Sequence, residues 1–469
     1  MILYLFFIFI KLSLSINFTP LPKGNGILNS PYEHKSTDNL YFIFEHFRHG
    51  ARSPCNGKFI NNTDELGGKW KNYGALTKVG IKQHYLLGLK NRKRYNNFIS
   101  NQYNSNEIKI FSSDYNRTMM SAQAQLLGFY NIISFNEIKK NDDIIGEEKI
   151  INKMNLNSII PPINLFDNMK NEKNNYYEMT FSEKFKCPLH KEMIEKNIKA
   201  IDELKTFDKL NNIKGDFNTK YFDTFLREFN IEDYTLNYTG MYTFCDIFIA
   251  YYFDNGYNKL RINNLDKKYK FFNSTEILNM CYDFFTEKFY KVEGDEYAKD
   301  STILIMSKLM KNMVNYMQSR INKKDPKYIG YDAPKFVLYS GHDDTLTQMG
   351  LFFNKFFNIN IEWFPYASTQ VFEIRKYGNQ FYVELYYNDR LKMNITFQQL
   401  SEKIKKIIMS DEEIYEKCYS FRRSPDFHKV LILFLILVFL FMNYISIKFY
   451  YYCFGKSQID KPSRNALII

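Results

Sequence analysis

Apolar residues in this chain come in short runs, each ended by a polar cluster. Residues 40–44 (LYFIF) form a continuous one, and 108–111 (IKIF) and 335–339 (KFVLY) are two further strand candidates. They read as strands covered on both faces, where alternation disappears. Residues 371–374 and 381–386 flank KYGN at 376–379, a hairpin signal. Between 77 and 95 the apolar positions Val79, Ile81, Leu86, Leu87 and Leu89 recur at helical spacing, with Thr77 placed to cap. A second helix is predicted from Thr118 through MMSAQAQLLGFY. The middle of the chain, about 135–325, is rich in Lys, Asn and Glu and mostly helical in flavour; 139–149 reads as a charged loop, and Pro161-Pro162 breaks the chain. Strands at both ends around a helical middle predict an α/β fold. Its three-layer core, a sheet with helices on both faces, spans about 38–134 and 326–400, with a mainly helical insert at about 135–325.

The two ends carry different patterns. Residues 2–10 (ILYLFFIFI) are too few to span a bilayer, and Ser13 and Ser15 follow them. This predicts a signal peptide over 1–15, with an uncleaved anchor or a buried strand as the alternatives. Residues 430–447 contain no charge between Lys429 and Lys448 and predict a transmembrane helix. Tyr450, Tyr451 and Tyr452 suit the membrane interface. The combined expectation is a single-pass type I membrane protein. Residues 16–427 would be lumenal (lysosome- or endosome-like) or at the cell surface, and 448–469 would be a cytosolic tail. Basic residues flank the span on both sides, so the positive-inside rule does not decide its orientation.

Composition narrows the picture less. With 24% charged and 45% hydrophobic residues over 469 positions, global disorder is excluded. The abundant Tyr (37) and Phe (44) read as a compositional bias. The formal charge of +12 admits nucleic acid, a membrane surface or an anionic substrate as partner. Of six cysteines, Cys453 lies past the predicted span. The other five (Cys55, Cys187, Cys245, Cys281 and Cys418) allow at most two bridges in an oxidising compartment. No Cys/His spacing points to zinc. Six sequons start at Asn17, Asn61, Asn116, Asn237, Asn273 and Asn394.

Three polar clusters follow three of the predicted strands, at the sheet edge where α/β proteins bind ligands. The first is Arg48-His49-Gly50-Ala51-Arg52-Ser53-Pro54. Guanidinium forks match phosphate oxygens, and an imidazole among cations is biased toward its neutral, nucleophilic form. A plain basic loop is the bland alternative. The second is Asp114-Tyr115-Asn116-Arg117-Thr118, where an arginine at a helix N-terminus adds to an anion site and Asp114 is either functional or an N-cap. The third is Gly341-His342-Asp343-Asp344-Thr345. It supplies an imidazole and a carboxyl that can protonate a departing alkoxide, with Asp344 as the N-cap candidate. An HD pair alone could equally be a metal pair or a cap. Together these residue types point to phosphoryl transfer, with no carboxylate cluster calling for Mg²⁺, no cofactor and no need of nucleic acid.

On these residues the sequence resembles the histidine acid phosphatases. The RHGxRxP signature stands at 48–54, the distal HD at His342-Asp343, and an S-x-D-x-x-R-T context at Ser112, Asp114, Arg117 and Thr118. Lesser echoes include Cys187-Pro188 and Pro365-Tyr366-Ala367-Ser368. The resemblance implies an acid phosphatase acting on phosphate monoesters, with His49 as nucleophile and Asp343 as proton donor. Arg48, Arg52, Arg117 and His342 would hold the phosphate, with no metal. Members are often membrane-anchored in the lysosomal manner, and often dimerise. Ala51 replaces a frequent Asp. The family's disulfide pattern does not carry over; Cys187 with Cys418 and Cys245 with Cys281 is a guessed pairing, with Cys55 left over. If Arg117 lines the pocket, the Asn116 sequon is expected to be unused. Phytase-like or lysophosphatidic-acid phosphatase activity, and a retired receptor or adhesion role, are the alternatives.

Overall fold

The computed structural model describes residues 36–55, 73–130, 163–165, scattered positions within 187–196, and 219–228, 238–253, 257–288, 299–322, 333–360, 364–420 and 425–454. The predicted leader, the 139–149 loop, Pro161-Pro162, the sequons at Asn17, Asn61 and Asn237, and residues 455–469 of the predicted tail lie outside them. Among the described residues, seven strands form one sheet: β1 Leu40–Arg48, β2 Ile108–Ser112, β3 Asn164–Leu165, β4 Phe336–Gly341, β5 Thr369–Tyr377, β6 Gln380–Tyr387 and β7 Arg390–Thr396. Their order is β3-β2-β4-β1-β5-β6-β7. The first four run parallel to one another, and β5, β6 and β7 continue antiparallel from β1.

Two helices pack on one face: α1 Lys78–Arg94 and α2 Asn116–Phe129. Four more, α3 Thr219–Glu228, α4 Tyr238–Tyr252, α5 Tyr257–Lys268 and α6 Ser274–Lys288, lie between β3 and β4 in the chain. They share a core of Phe225, Phe244, Phe248, Ile262, Cys281 and Phe284, joined by Ala51, Val79 and Tyr366. Next come α7 Lys299–Ile321, α8 Asp343–Phe357 and α9 Phe397–Ile407, which bury Met306, Met313, Leu346, Phe352 and Leu400 against Phe42, Phe44, Val337 and Phe372. On the opposite face Ile43, Phe47, Ile110 and Leu338 meet Ala122, Leu126 and Phe129. Side chains of successive strand residues therefore serve two cores, as the absence of alternation predicted. Thr77 caps α1 as expected, accepting a hydrogen bond from the Gly80 N–H.

Four local expectations change. β1 does not end at its first polar residue but continues through Glu45 and His46 to Arg48. Glu45 can be buried because Asn91 and Gln125 donate to its two oxygens. Helix α2 starts at Asn116 with Tyr115, not Asp114, at its N-cap. The N-cap of α8 is His342, so Asp343 and Asp344 occupy its first turn, where carboxylates offset the helix dipole. The fourth is β7, which sequence reasoning missed. The 376–379 hairpin turns through Gly378 at φ +57°, and the β6–β7 hairpin turns on Asn388 and Asp389, both at positive φ.

The chain divides into two compact units, the second comprising Cys187–Leu189 and Glu412–Ile469. That unit holds most of α10 Asp411–Ser420 and the long α11 Pro425–Phe454, with Cys187 bonded to Cys418. Within α11, Leu431–Tyr452 is long and apolar enough to cross a membrane and buries none of its surface in the protein. In the first unit Cys245 is bonded to Cys281, and Cys55 is free. Both pairings agree with the guessed one.

Candidate active site

The parallel strands end at one level. Arg48 lies opposite Gly341, and Phe47 and Ser112 both lie opposite Ser340. The three polar clusters therefore leave the sheet side by side. The His49 N–H donates to the Gly341 carbonyl and the Ser113 N–H to the Ser340 carbonyl, which ties the three exits together. The first loop is also anchored from below. The Gly50 N–H donates to Ser121 Oγ and the Ala51 N–H to Gln83 Oε1. Gly50 presses on α1 so closely that a Cβ there would sit 2.4 Å from the Gly80 carbonyl oxygen, which explains both glycines. With these backbone donors engaged, anion binding falls to the side chains.

His49 is 1% exposed. Its Nδ1 lies 2.8 Å from the carbonyl of Gly50, so Nδ1 carries the proton and Nε2 keeps its lone pair. Burial, followed by the charges of Arg117, Arg48 and Arg52 and by His342, pushes the imidazole pKa well below its ordinary value. The ring of His342 stands edge-on 5.5 Å away, and that of Tyr366 lies 5.9 Å away.

The three arginines are held differently. Arg48 donates to the Phe364 carbonyl at 2.7 Å, pairs with Asp343 at 2.8 Å and lies over the Tyr366 ring at 4.5 Å. Arg52 pairs with Asp246 at 2.7 Å and donates to the Ser53 carbonyl at 3.0 Å. Arg117 reaches His342 Nδ1 at 3.3 Å and lies over Tyr115 at 4.5 Å. The buried Nε atoms of Arg52 and Arg117 have no hydrogen-bond partner among the described residues.

His342 is oriented from behind by Ser113, whose Oγ lies 2.9 Å from Nε2 and is itself bonded to Thr118 Oγ1. Burial, then Arg117, pushes the His342 pKa down to about 3. The structure thus brings together all six residues singled out in the sequence: Arg48, His49, Arg52, Arg117, His342 and Asp343. Asp114 is exposed. Sequence reasoning missed Asp246, Ser113 and the packing role of Tyr366. Tyr366 stood in a motif already noted; Asp246 carried no signal beyond its neighbour Cys245.

Among the described residues, no three His, Cys, Asp or Glu side chains gather where they could hold a metal ion. Comparison with known proteins agrees with the geometry. The structure resembles a phytase from Citrobacter braakii with a TM-score of 0.52 at 13% identity, covering 80% of this chain and 99% of the other, which shows the fold. A lysosomal acid phosphatase from Xenopus laevis is 45% identical over 92 residues, 19% of this chain and 21% of its own length. The rat lysosomal acid phosphatase is 24% identical over 366 residues, 76% of this chain and 72% of its own length. The chain spans only about a fifth of the length of the Xenopus relative and of others matched in the same way. The model of the histidine phosphatase superfamily (branch 2) matches residues 42–388 and therefore includes all six pocket residues, so this chain belongs to that superfamily.

Proposed function

We propose that this protein is an acid phosphatase that hydrolyses phosphate monoesters through a phosphohistidine on His49. The observation that carries the reading is the Nδ1 contact to the Gly50 carbonyl, which leaves Nε2 unprotonated among three guanidiniums. Arg48, Arg52 and Arg117 bind and neutralise the phosphoryl oxygens, and the uncharged His342 lines the same phosphate site beside Arg117. Nε2 attacks phosphorus, and the bond to the ester oxygen breaks. Asp343 gives its proton to that oxygen, so the alcohol leaves neutral. The Arg48 pair at 2.8 Å holds the Asp343 carboxyl beside the phosphate-binding guanidiniums. Water then attacks the phosphohistidine, Asp343 takes up the water's proton, and phosphate leaves with His49 restored. Every side chain this cycle needs is intact, which favours an enzyme over a retired receptor.

The substrate-facing domain is read as 16–427, anchored by 430–447, with 448–469 cytosolic. Two cysteine pairs support an oxidising, lumenal or extracellular setting for it. The test is turnover of an aryl phosphate at mildly acidic pH by full-length protein in detergent. His49→Ala is expected to abolish it; full activity in that variant would contradict the mechanism.

A further inference from the structure

Asp246 stands apart from the three strand-end clusters. It lies on α4, and its carboxylate makes two directed contacts. Oδ1 accepts from Arg52 Nη2 at 2.7 Å, and Oδ2 accepts from the Cys55 N–H at 2.8 Å. Arg52 is 5% exposed and Asp246 7%, so the pair is shielded from solvent and from salt. Such a pair is geometrically demanding, and removing one partner leaves a buried charge alone. The disulfide from Cys245 to Cys281 joins α4 to α6 one residue from Asp246 and fixes the azimuth at which α4 presents the carboxylate. Arg52 then has one end held by Asp246 and the Ser53 carbonyl, while its Nε carries no partner among the described residues.

We propose that Asp246 is a positioning residue, which fixes the Arg52 fork so that its remaining N–H groups meet the phosphoryl oxygens, on the reading that this pocket binds phosphate. Its two oxygens are engaged on the protein's own groups, so it is not a second proton donor. Burial opposes the Arg52 charge; Asp246, with smaller contributions from Cys55 and Tyr366, more than offsets it and holds the guanidinium pKa well above the ordinary arginine value. The helices between β3 and β4 thereby contribute a part of the phosphate site that lies in none of the recognisable motifs.

The test is a double-mutant cycle in the full-length protein, reading the inhibition constant of inorganic phosphate, kcat, KM and the thermal midpoint. Asp246→Asn is expected to weaken phosphate on the order of 10- to 100-fold, with KM moving more than kcat. Arg52→Ala is expected to weaken it at least as much. The double variant is expected to match Arg52→Ala alone in phosphate inhibition, because Asp246 reaches the phosphate through that arginine, while loss of its contact to the Cys55 N–H is read in the thermal midpoint. Additive losses, or no effect of Asp246→Asn, would overturn the proposal. An Arg52→Ala variant with unchanged phosphate inhibition would instead overturn the phosphate-site reading beneath it. If Asp246→Asn does not fold, Asp246→Glu runs the same cycle. A smaller loss that vanishes on Arg52→Ala supports positioning, and a loss that persists overturns it.

Discussion

A buried imidazole among guanidiniums stays neutral for two separate reasons: desolvation and repulsion both penalise the added proton. His49 has both, so its lone pair remains available in the acidic range where a free histidine would be protonated. In the proposed mechanism Asp343 has the complementary task, and its ion pair with Arg48 places it at the same pocket. Asp343→Ala is expected to slow alkyl phosphates far more than aryl phosphates, because a good leaving group departs without a proton. Equal losses on both classes, measured as kcat/KM, would remove Asp343 from that role. Most of these residues were legible because they sit beside strand ends in contiguous clusters. Asp246 was not, because it meets Arg52 only through the fold, 194 positions apart, and a lone Asp on a helix is unremarkable in sequence.

At the scale of elements, β1 shows where pattern reading stops short. Its second half contains Glu45 and His46, both buried, and a polar pair in a strand reads as an end. What permits them is tertiary. Asn91 on α1 and Gln125 on α2 donate to Glu45, and His84 joins Gln125 to the Arg48 carbonyl. The network thus supports the loop that carries His49. Burial raises the Glu45 pKa from 4.5 to about 7, against the opposing hydrogen bonds and cations. The native state therefore keeps a proton that the unfolded chain has released across that window. This contribution is complete below pH 4.5 and is lost as pH rises through about 7. Glu45→Gln does not titrate, so it is expected to gain roughly 3 kcal/mol relative to the unsubstituted protein across that range. Denaturant unfolding at both pH limits measures the difference, and a pH-independent gap would contradict it. The missed β7 has the opposite cause. Its sequence RLKMNIT alternates only weakly, lies at the sheet edge, and is specified by the Asn388-Asp389 turn and its pairing with β6.

At the scale of the molecule, the positive balance of the sequence becomes specific. Three arginines face one pocket and already have structural partners there: Asp343 for Arg48, Asp246 for Arg52 and His342 for Arg117. The α/β class was readable because β1, β2 and β4 each carry a short, mainly apolar run ended by a polar cluster. The arrangement of α3 to α6 was not, since long-range packing and the Cys245–Cys281 bond fix it. The apolar 430–447 run was legible by length alone, and it falls within α11. What joins these scales is the proposed phosphohistidine on His49. The most direct test mixes full-length protein in detergent with radiolabelled aryl phosphate and quenches it within one turnover. The account predicts label that survives base, is lost in acid, and maps to a peptide phosphorylated on His49. Stoichiometric turnover with no labelled protein, or label on another residue, would contradict it.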